Sequence, residues 1–244
     1  MKYRGILVSA LVVSLAACGS DTKTAAPPPV AAAVTAAPAA AAPVALAAGT
    51  QLIGAIGDTT TKLGLVIGDK AVWGYLCDPQ GAARAVTGSL TDGTFSLKEE
   101  DGTATVTGTL TNGAFTGKVS LDGTKSYDVN AVKVTGTAGV YLAYKVVDDN
   151  TSTIGAWIRD NANDVVGNLT TIETGEDGAK SSEAGGGQPP TDAVPASLGQ
   201  KFGCFQASRK LVKAIRQGAS LAVQKELSDN QVRACGAAFP GGAS

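Results

Sequence analysis

Between Leu63 and Thr170 apolar and polar side chains alternate with a period of two. The alternation is interrupted at Asp92-Gly93, Asp101-Gly102, Asn112-Gly113 and Asp122-Gly123. These dipeptides signal tight hairpin turns, because both central residues of a type I′ turn need positive φ. The pattern therefore predicts a run of antiparallel strands. Part of it is written twice: the stretch from Val86 to Phe95 returns, nearly unchanged, 20 residues later from Val106 to Phe115. A period that short, holding two turns, reads as one duplicated hairpin rather than a solenoid.

Register follows from the turns. A two-residue turn at Asn112-Gly113 sets Leu110 opposite Phe115, Gly108 opposite Gly117 and Val106 opposite Val119, with Thr107, Thr109, Thr116 and Lys118 on the other face. A turn at Asp101-Gly102 sets Leu97 against Val106 and Phe95 against Gly108. One at Asp92-Gly93 sets Leu90 against Phe95 and Gly88 against Leu97. The apolar face is continuous through all three, as a single buried face requires. At Asp122-Gly123 the parity fails, since a two-residue loop would turn Tyr127, Val129 and Ala131 outward. An odd-length loop or a bulge corrects this, and a bulge at Gly123 is the expectation.

Further strands are expected at Leu63–Ile67, Ala71–Cys77, Gly139–Val147, Thr153–Arg159 and Asp164–Thr170. The fold class is thus mainly β: a small antiparallel barrel or sandwich, a meander of hairpins over 51–170, closed to avoid a long open edge. Residues 171–196, with their Gly and Pro clusters and few apolar groups, read as a flexible linker. After Ser197 the period becomes helical. Phe205, Leu211, Val212, Ile215, Leu221, Leu227 and Val232 are spaced for helices broken near Gly218 and Ser228, with Ser228 and Asp229 as an N-terminal cap. The segment 197–244 is expected to be a small helical hairpin.

The N-terminal part is of another kind. Lys2 and Arg4 precede a 13-residue apolar run from Gly5 to Ala17, too short to span a bilayer comfortably, and the run ends Leu15-Ala16-Ala17-Cys18. This stretch resembles the signal and lipobox of bacterial lipoproteins. The resemblance implies cleavage after residue 17, acylation of Cys18 and a stable anchor from two or more chains. It places the protein on the bacterial cell membrane or outer membrane, extracytoplasmic, and Gly19 permits outer-membrane sorting. Residues 18–50, mostly Ala, Pro, Thr and Val, form a spacer that holds the folded part off the membrane.

Losing Lys2 and Arg4 leaves 18 basic residues against 21 acidic ones. That balance offers nothing to neutralise phosphates, so nucleic acid is not an expected partner. Of the remaining cysteines, Cys204 and Cys235 flank the helical segment and are paired, a closure stabilising by roughly 3–4 kcal/mol. Cys77 is left as a buried thiol in a strand, although a link from Cys77 to either of the others stays open.

The chain has no histidine. Ser-His-Asp and Cys-His catalysis and histidine-ligated zinc are thereby excluded. Glu99-Glu100-Asp101 leads into a turn on alternating faces and is expected to be a solvated hairpin tip, not a glycosidase pair. Asp148-Asp149-Asn150 and Asp160-Asn161-Ala162-Asn163-Asp164 offer oxygen ligands at calcium-like spacing, but Asp and Asn are equally what turns prefer; no metal or other cofactor is expected. Arg209, Lys213 and Arg216 line one helical face with Lys210 beside them; a solvated face is expected over contact with anionic lipid. Trp73, Tyr75 and Trp157 are expected in the core rather than as a sugar-stacking surface.

A second resemblance covers residues 63–170. Gly74-Tyr75-Leu76-Cys77-Asp78, the Thr-Gly-rich hairpins, Ala138-Gly139-Val140-Tyr141 and Gly155-Ala156-Trp157-Ile158 resemble secreted or lipid-anchored bacterial β-meander proteins of unassigned function. Asp160-Asn161-Ala162 stands where that pattern has Asp-Gly, which implies a different loop. The expectation is a non-enzymatic, lipid-anchored binding or interaction module whose partner is an envelope protein or ligand. The alternatives are a carbohydrate-active enzyme built on carboxylates and aromatics, or a barrel that carries a small ligand.

Overall fold

The computed structural model describes residues 46–240 except 70, 80–82, 186, 192 and 197–199. The expected signal, Cys18 and most of the expected spacer lie outside the described residues. Eight strands form a closed antiparallel barrel in sequential order: β1 (Gln51–Ala55), β2 (Lys62–Ile67), β3 (Val72–Cys77), β4 (Ala83–Thr91), β5 (Thr94–Lys98), β6 (Thr105–Thr111), β7 (Ala114–Ser120) and β8 (Ser126–Lys133). β1 meets β8 through Leu52↔Lys133 and Ile53↔Val132 to shut the ring. The spacer ends sooner than its composition suggests, because Gly49 already donates to the Ile67 carbonyl at 2.8 Å and Leu46 packs on the barrel core.

The turn chemistry sets the register as expected. Asp92 and Gly93 have φ of 49° and 76°, Asn112 and Gly113 of 52° and 80°, the positive pairs of a type I′ turn. Leu90 faces Phe95, Phe95 faces Gly108, Leu97 faces Val106 and Leu110 faces Phe115. At Asp101-Gly102 only Gly102 is left-handed, and its N–H closes a turn on the Glu99 carbonyl at 2.9 Å. At the fourth turn the expected bulge is absent. The β7–β8 ladder runs unbroken from Phe115↔Ala131 to Ser120↔Ser126, leaving an odd loop, Leu121 to Lys125, that restores parity by its length. Val129 and Ala131 accordingly lie inside, and Tyr127 packs at the edge of the core.

The barrel is filled. Leu52, Leu63, Leu65, Val86, Phe95, Val106, Phe115 and Val119 are fully buried within it, and Phe95 meets Phe115 edge to face at 5.0 Å. Inward glycines do not leave a void. A Cβ on Gly88 would lie 1.9 Å from the Ser96 carbonyl oxygen, so the glycine marks a place where neighbouring backbones nearly touch. The outside of β5–β8 is polar, with Thr94, Ser96, Thr107, Thr109, Thr116, Lys118 and Asp128 exposed. This is the reverse of a membrane-spanning barrel, whose outer band is apolar.

Strands after Lys133 do not join the barrel, contrary to the single β domain expected over 51–170. They form a second, five-stranded sheet in the order β12-β11-β10-β9-β13. Its members are β9 (Gly139–Asp148), β10 (Thr151–Arg159), β11 (Val165–Gly175), β12 (Gly178–Gly185) and β13 (Val194–Pro195). The reading of 171–196 as a flexible linker is thereby corrected. β12 pairs with β11 over a full ladder, from Asn168↔Gly185 to Gly175↔Gly178. Its sequence, GAKSSEAG, has no large apolar side chain, which is why composition misses it. The sheet packs on the barrel's outer wall: Ile53, Val66 and Tyr75 share one core with Val140, Leu142, Ile154, Ile158 and Val166. Gly64 permits the approach, since a Cβ there would sit 2.4 Å from a Val140 methyl.

Two helices follow among the described residues, α1 (Gln200–Arg216) and α2 (Leu221–Ala238). Gly218, at φ 66°, separates them as expected, but the break at Ser228 does not exist. Asp229 instead continues the helix by pairing with Lys225 at i,i+4, and Ser220 occupies the N-terminal flank. Cys204 and Cys235 form the disulfide between the helices, and Cys77 is free and buried. Phe202 and Phe205 reach from α1 to the Tyr75 ring at 5.4 and 5.2 Å, which ties the helical hairpin into the shared core.

Candidate functional site

The charged residues singled out from sequence converge on one cleft, where they pair with one another. The β4–β5 strands and the Glu99–Asp101 turn form one side, α1 the other, and β12 an end. The space is an open cleft of about 730 Å³. Its floor is Ala83, Ala85, Val212 and Leu227, and among the described residues its lining contains no aromatic. Helical spacing puts Arg209, Lys213 and Arg216 on the cleft-facing side of α1, and each finds a carboxylate. Lys213 Nζ lies 2.5 Å from Asp101 Oδ2, and Lys210 Nζ 3.0 Å from Glu100 Oε1. Arg209 and Arg216 both clamp Glu183 of β12, the latter at 2.5 Å. Arg84 of β4 holds Glu99 at 2.9 Å.

Two expectations hold in part. Glu100 and Asp101 at the tip and Lys210, Lys213 and Arg216 on the helix are exposed, as expected, but they are not bare: they form ion pairs across the cleft. The Lys213 ammonium, helped by the Thr103 backbone N–H, lowers Asp101 to about 2. Depression of a carboxyl stabilises the fold above its ordinary value of 3.8, and that contribution is lost as pH falls through about 2. A general acid needs the opposite shift. Cys77, beside this region, is pushed up to about 12 by burial, partly offset by Arg209, so the thiol is not a nucleophile at neutral pH.

The Asp160–Asp164 turn holds a cation, but an internal one. Lys62 Nζ lies 2.5 Å from Asp160 Oδ2 and 2.6 Å from Asp164 Oδ2. Of the other turn oxygens, Asp160 Oδ1 accepts from the N–H groups of Ala162 and Asp164, Asn161 Oδ1 from the N–H and hydroxyl of Thr135, and Asn163 Oδ1 from the Thr137 hydroxyl. Asp148 Oδ1 likewise accepts from the Asn150 N–H. Among the described residues no cluster of three or more His, Cys, Asp or Glu is placed to hold a metal. Trp157 and Tyr75 are in the core as expected, and Trp73 packs against it beside Phe202.

Burial opposes charge on Lys62, yet its bonds to the two aspartates outweigh that and raise its pKa. Burial likewise opposes ionisation of Asp160, but the Lys62 ammonium and the backbone donors lower its pKa. The pair therefore stabilises fully above about 3.8 and below 10.5, fading outside those limits. Lys62→Met should reduce unfolding free energy at pH 7 by about 1–3 kcal/mol. This is less than for a wholly buried pair, because the Asp164 side chain is 69 % exposed. The deficit should shrink as pH falls below 3.8 through the lowered Asp160 value; a difference independent of pH would show that packing of the lysine stem, not its charge, is what matters.

Lys62, Arg84 and Glu183 are the members that sequence reading missed. A lone lysine heading the otherwise apolar β2 was a signal for Lys62. Glu183 was hidden by the linker assignment, and Arg84 by its ordinary alternation in β4. Comparison with known proteins finds no family model, no curated protein and no solved structure that matches this chain.

Proposed function

We propose that this is a lipid-anchored bacterial envelope protein, tethered at Cys18 outside the cytoplasm, and that it works as a non-enzymatic binding module. The cleft beneath α1 is the surface it offers to an envelope partner. The Leu15-Ala16-Ala17-Cys18 sequence after a short apolar run supports the anchor. The observation that carries the binding reading is the cleft itself, walled by five ion pairs, on a scaffold whose barrel interior is taken by side chains. A ligand-carrying barrel needs that interior empty. A carbohydrate-active cleft would set its aromatics beside its carboxylates, whereas Tyr75 and Trp157 are buried elsewhere.

Two measurements test the two halves. Cys18→Ser should move the protein from the membrane pellet to the soluble fraction, and undiminished membrane retention rejects the anchor. Gln217→Trp fills the cleft without removing an ion pair. It should abolish affinity capture of the partner that the wild-type chain retains from native envelope, with the melting temperature unchanged. Equal capture by both forms rejects the cleft.

A further inference from the structure

The β9–β10 hairpin carries the sequence Asp148-Asp149-Asn150-Thr151-Ser152 across its tip. Asn-x-Ser/Thr with x other than proline is the acceptor signal for N-linked oligosaccharide transfer. A carboxylate two residues before the asparagine adds a charge that a cation on a transferase can pair with. Here Asp148 fills that place. We propose that Asn150 is an acceptor site for N-linked glycosylation, an inference that rests on the extracytoplasmic location proposed above.

Accessibility separates this site from the other Asn-x-Thr in the chain. Asp148, Asp149 and Asn150 are all exposed. The Asn150 backbone is fixed from two sides, its N–H donating to Asp148 Oδ1 at 2.9 Å and its carbonyl accepting from the Thr174 N–H at 2.7 Å. Its carboxamide has no partner among the described residues. A shift in register between Thr151 and Ser152 interrupts the ladder immediately behind the tip, and the half-buried Ser152 hydroxyl accepts only a long bond, from Gln231 at 3.4 Å, which a transferase would displace. By contrast Asn168 of Asn168-Leu169-Thr170 is 1 % exposed in mid-strand, accepts from the Thr170 hydroxyl, and has Val166 in the place of the carboxylate.

The donor is a polyprenyl-diphosphate-linked oligosaccharide. The Asn150 amide nitrogen forms a bond to the anomeric carbon of its first sugar, and the bond from that carbon to the diphosphate oxygen breaks. The nitrogen gives up one proton to a base on the transferase, polyprenyl diphosphate leaves, and nothing is oxidised or reduced.

The test expresses the full chain in a bacterium supplied with an acid-requiring oligosaccharyltransferase and its lipid-linked oligosaccharide. Two forms are compared, one with its own residues 1–17 and one with a well-characterised export signal in their place. Trypsin releases Asn150 on the peptide 146–159, apart from Asn168 on 160–180. Peptide 146–159 should gain the mass of the oligosaccharide and 160–180 should not. Asn150→Gln and Ser152→Ala should abolish the gain, and Ser152→Thr should keep it. Asp148→Asn, which retains an oxygen for the turn but not the charge, should lower occupancy at least tenfold. Modification only in the form with the substituted signal counts against the location while sustaining the acceptor. An unmodified 146–159 peptide in that exported form, or oligosaccharide on 160–180, overturns the proposal.

Discussion

Gly88→Ala should cost at least ~3 kcal/mol and leave much of the protein unfolded at 37 °C. The added methyl would lie 1.9 Å from the Ser96 carbonyl oxygen and 2.8 Å from its carbon, both backbone atoms of the paired strand. No rotamer change can relieve such a contact, so the β4–β5 ladder must separate inside a closed ring. Overpacking typically costs 1–3 kcal/mol when side chains can shift, and more when they cannot. The matched control is Gly203→Ala in α1, where nothing lies within 4 Å of the new Cβ. There alanine should stabilise by about 0.5–1 kcal/mol, the helix-interior preference over glycine. Urea titration of both variants decides the matter. Equal midpoints would mean that the barrel wall yields, and that these strands are not held as closely as described.

Removing the disulfide, by Cys204→Ala with Cys235→Ala, should cost roughly 3–4 kcal/mol, the chain-entropy value for a loop of 31 residues. That is a large share of the 5–15 kcal/mol usual for a domain. Both half-cystines are fully buried beside Ser208, so truncation also empties packed volume and pushes the cost upward. The expected signature is a lower urea midpoint for the double variant, matched by the wild type under reducing conditions. No shift in either would show that Phe202 and Phe205 alone hold the helical hairpin in place.

The barrel hairpins were readable because every layer of information agreed. Asp-Gly and Asn-Gly fixed the turns, parity fixed the faces, and Phe95 and Phe115 marked the inside. At the Asp122-Gly123 turn parity showed that something must give, but not whether a bulge or a longer loop would do it. β12 lay beyond reach for a definite reason. Its stability comes from the backbone ladder to β11 and from Glu183 gripping two arginines, and neither leaves an apolar alternation to detect. The basic face of α1 was visible from helical spacing, whereas its partners sit more than a hundred residues away for Lys210 and Lys213, beyond any local pattern. Ser228 shows the opposite hazard: a residue pair that looks like a cap is overruled by the packing of Gln231, Cys235 and Ala238 on the helix that runs through it. The split of the β region into ring and sheet was equally hidden, because β9 and β10 alternate as β7 and β8 do, and only the closure of β1 on β8 decides where the barrel ends.

The twin hairpins, β4–β5 and β6–β7, lie side by side in the ring and share nearly the same text. Unequal recombination between their gene segments would insert or excise 20 codons, and with them two whole strands. Because strands would come and go in pairs, an antiparallel cylinder of six or ten staves could still close with every inward residue on its proper side. The architecture is thus one in which girth can change in a single genetic event without scrambling which face is oily.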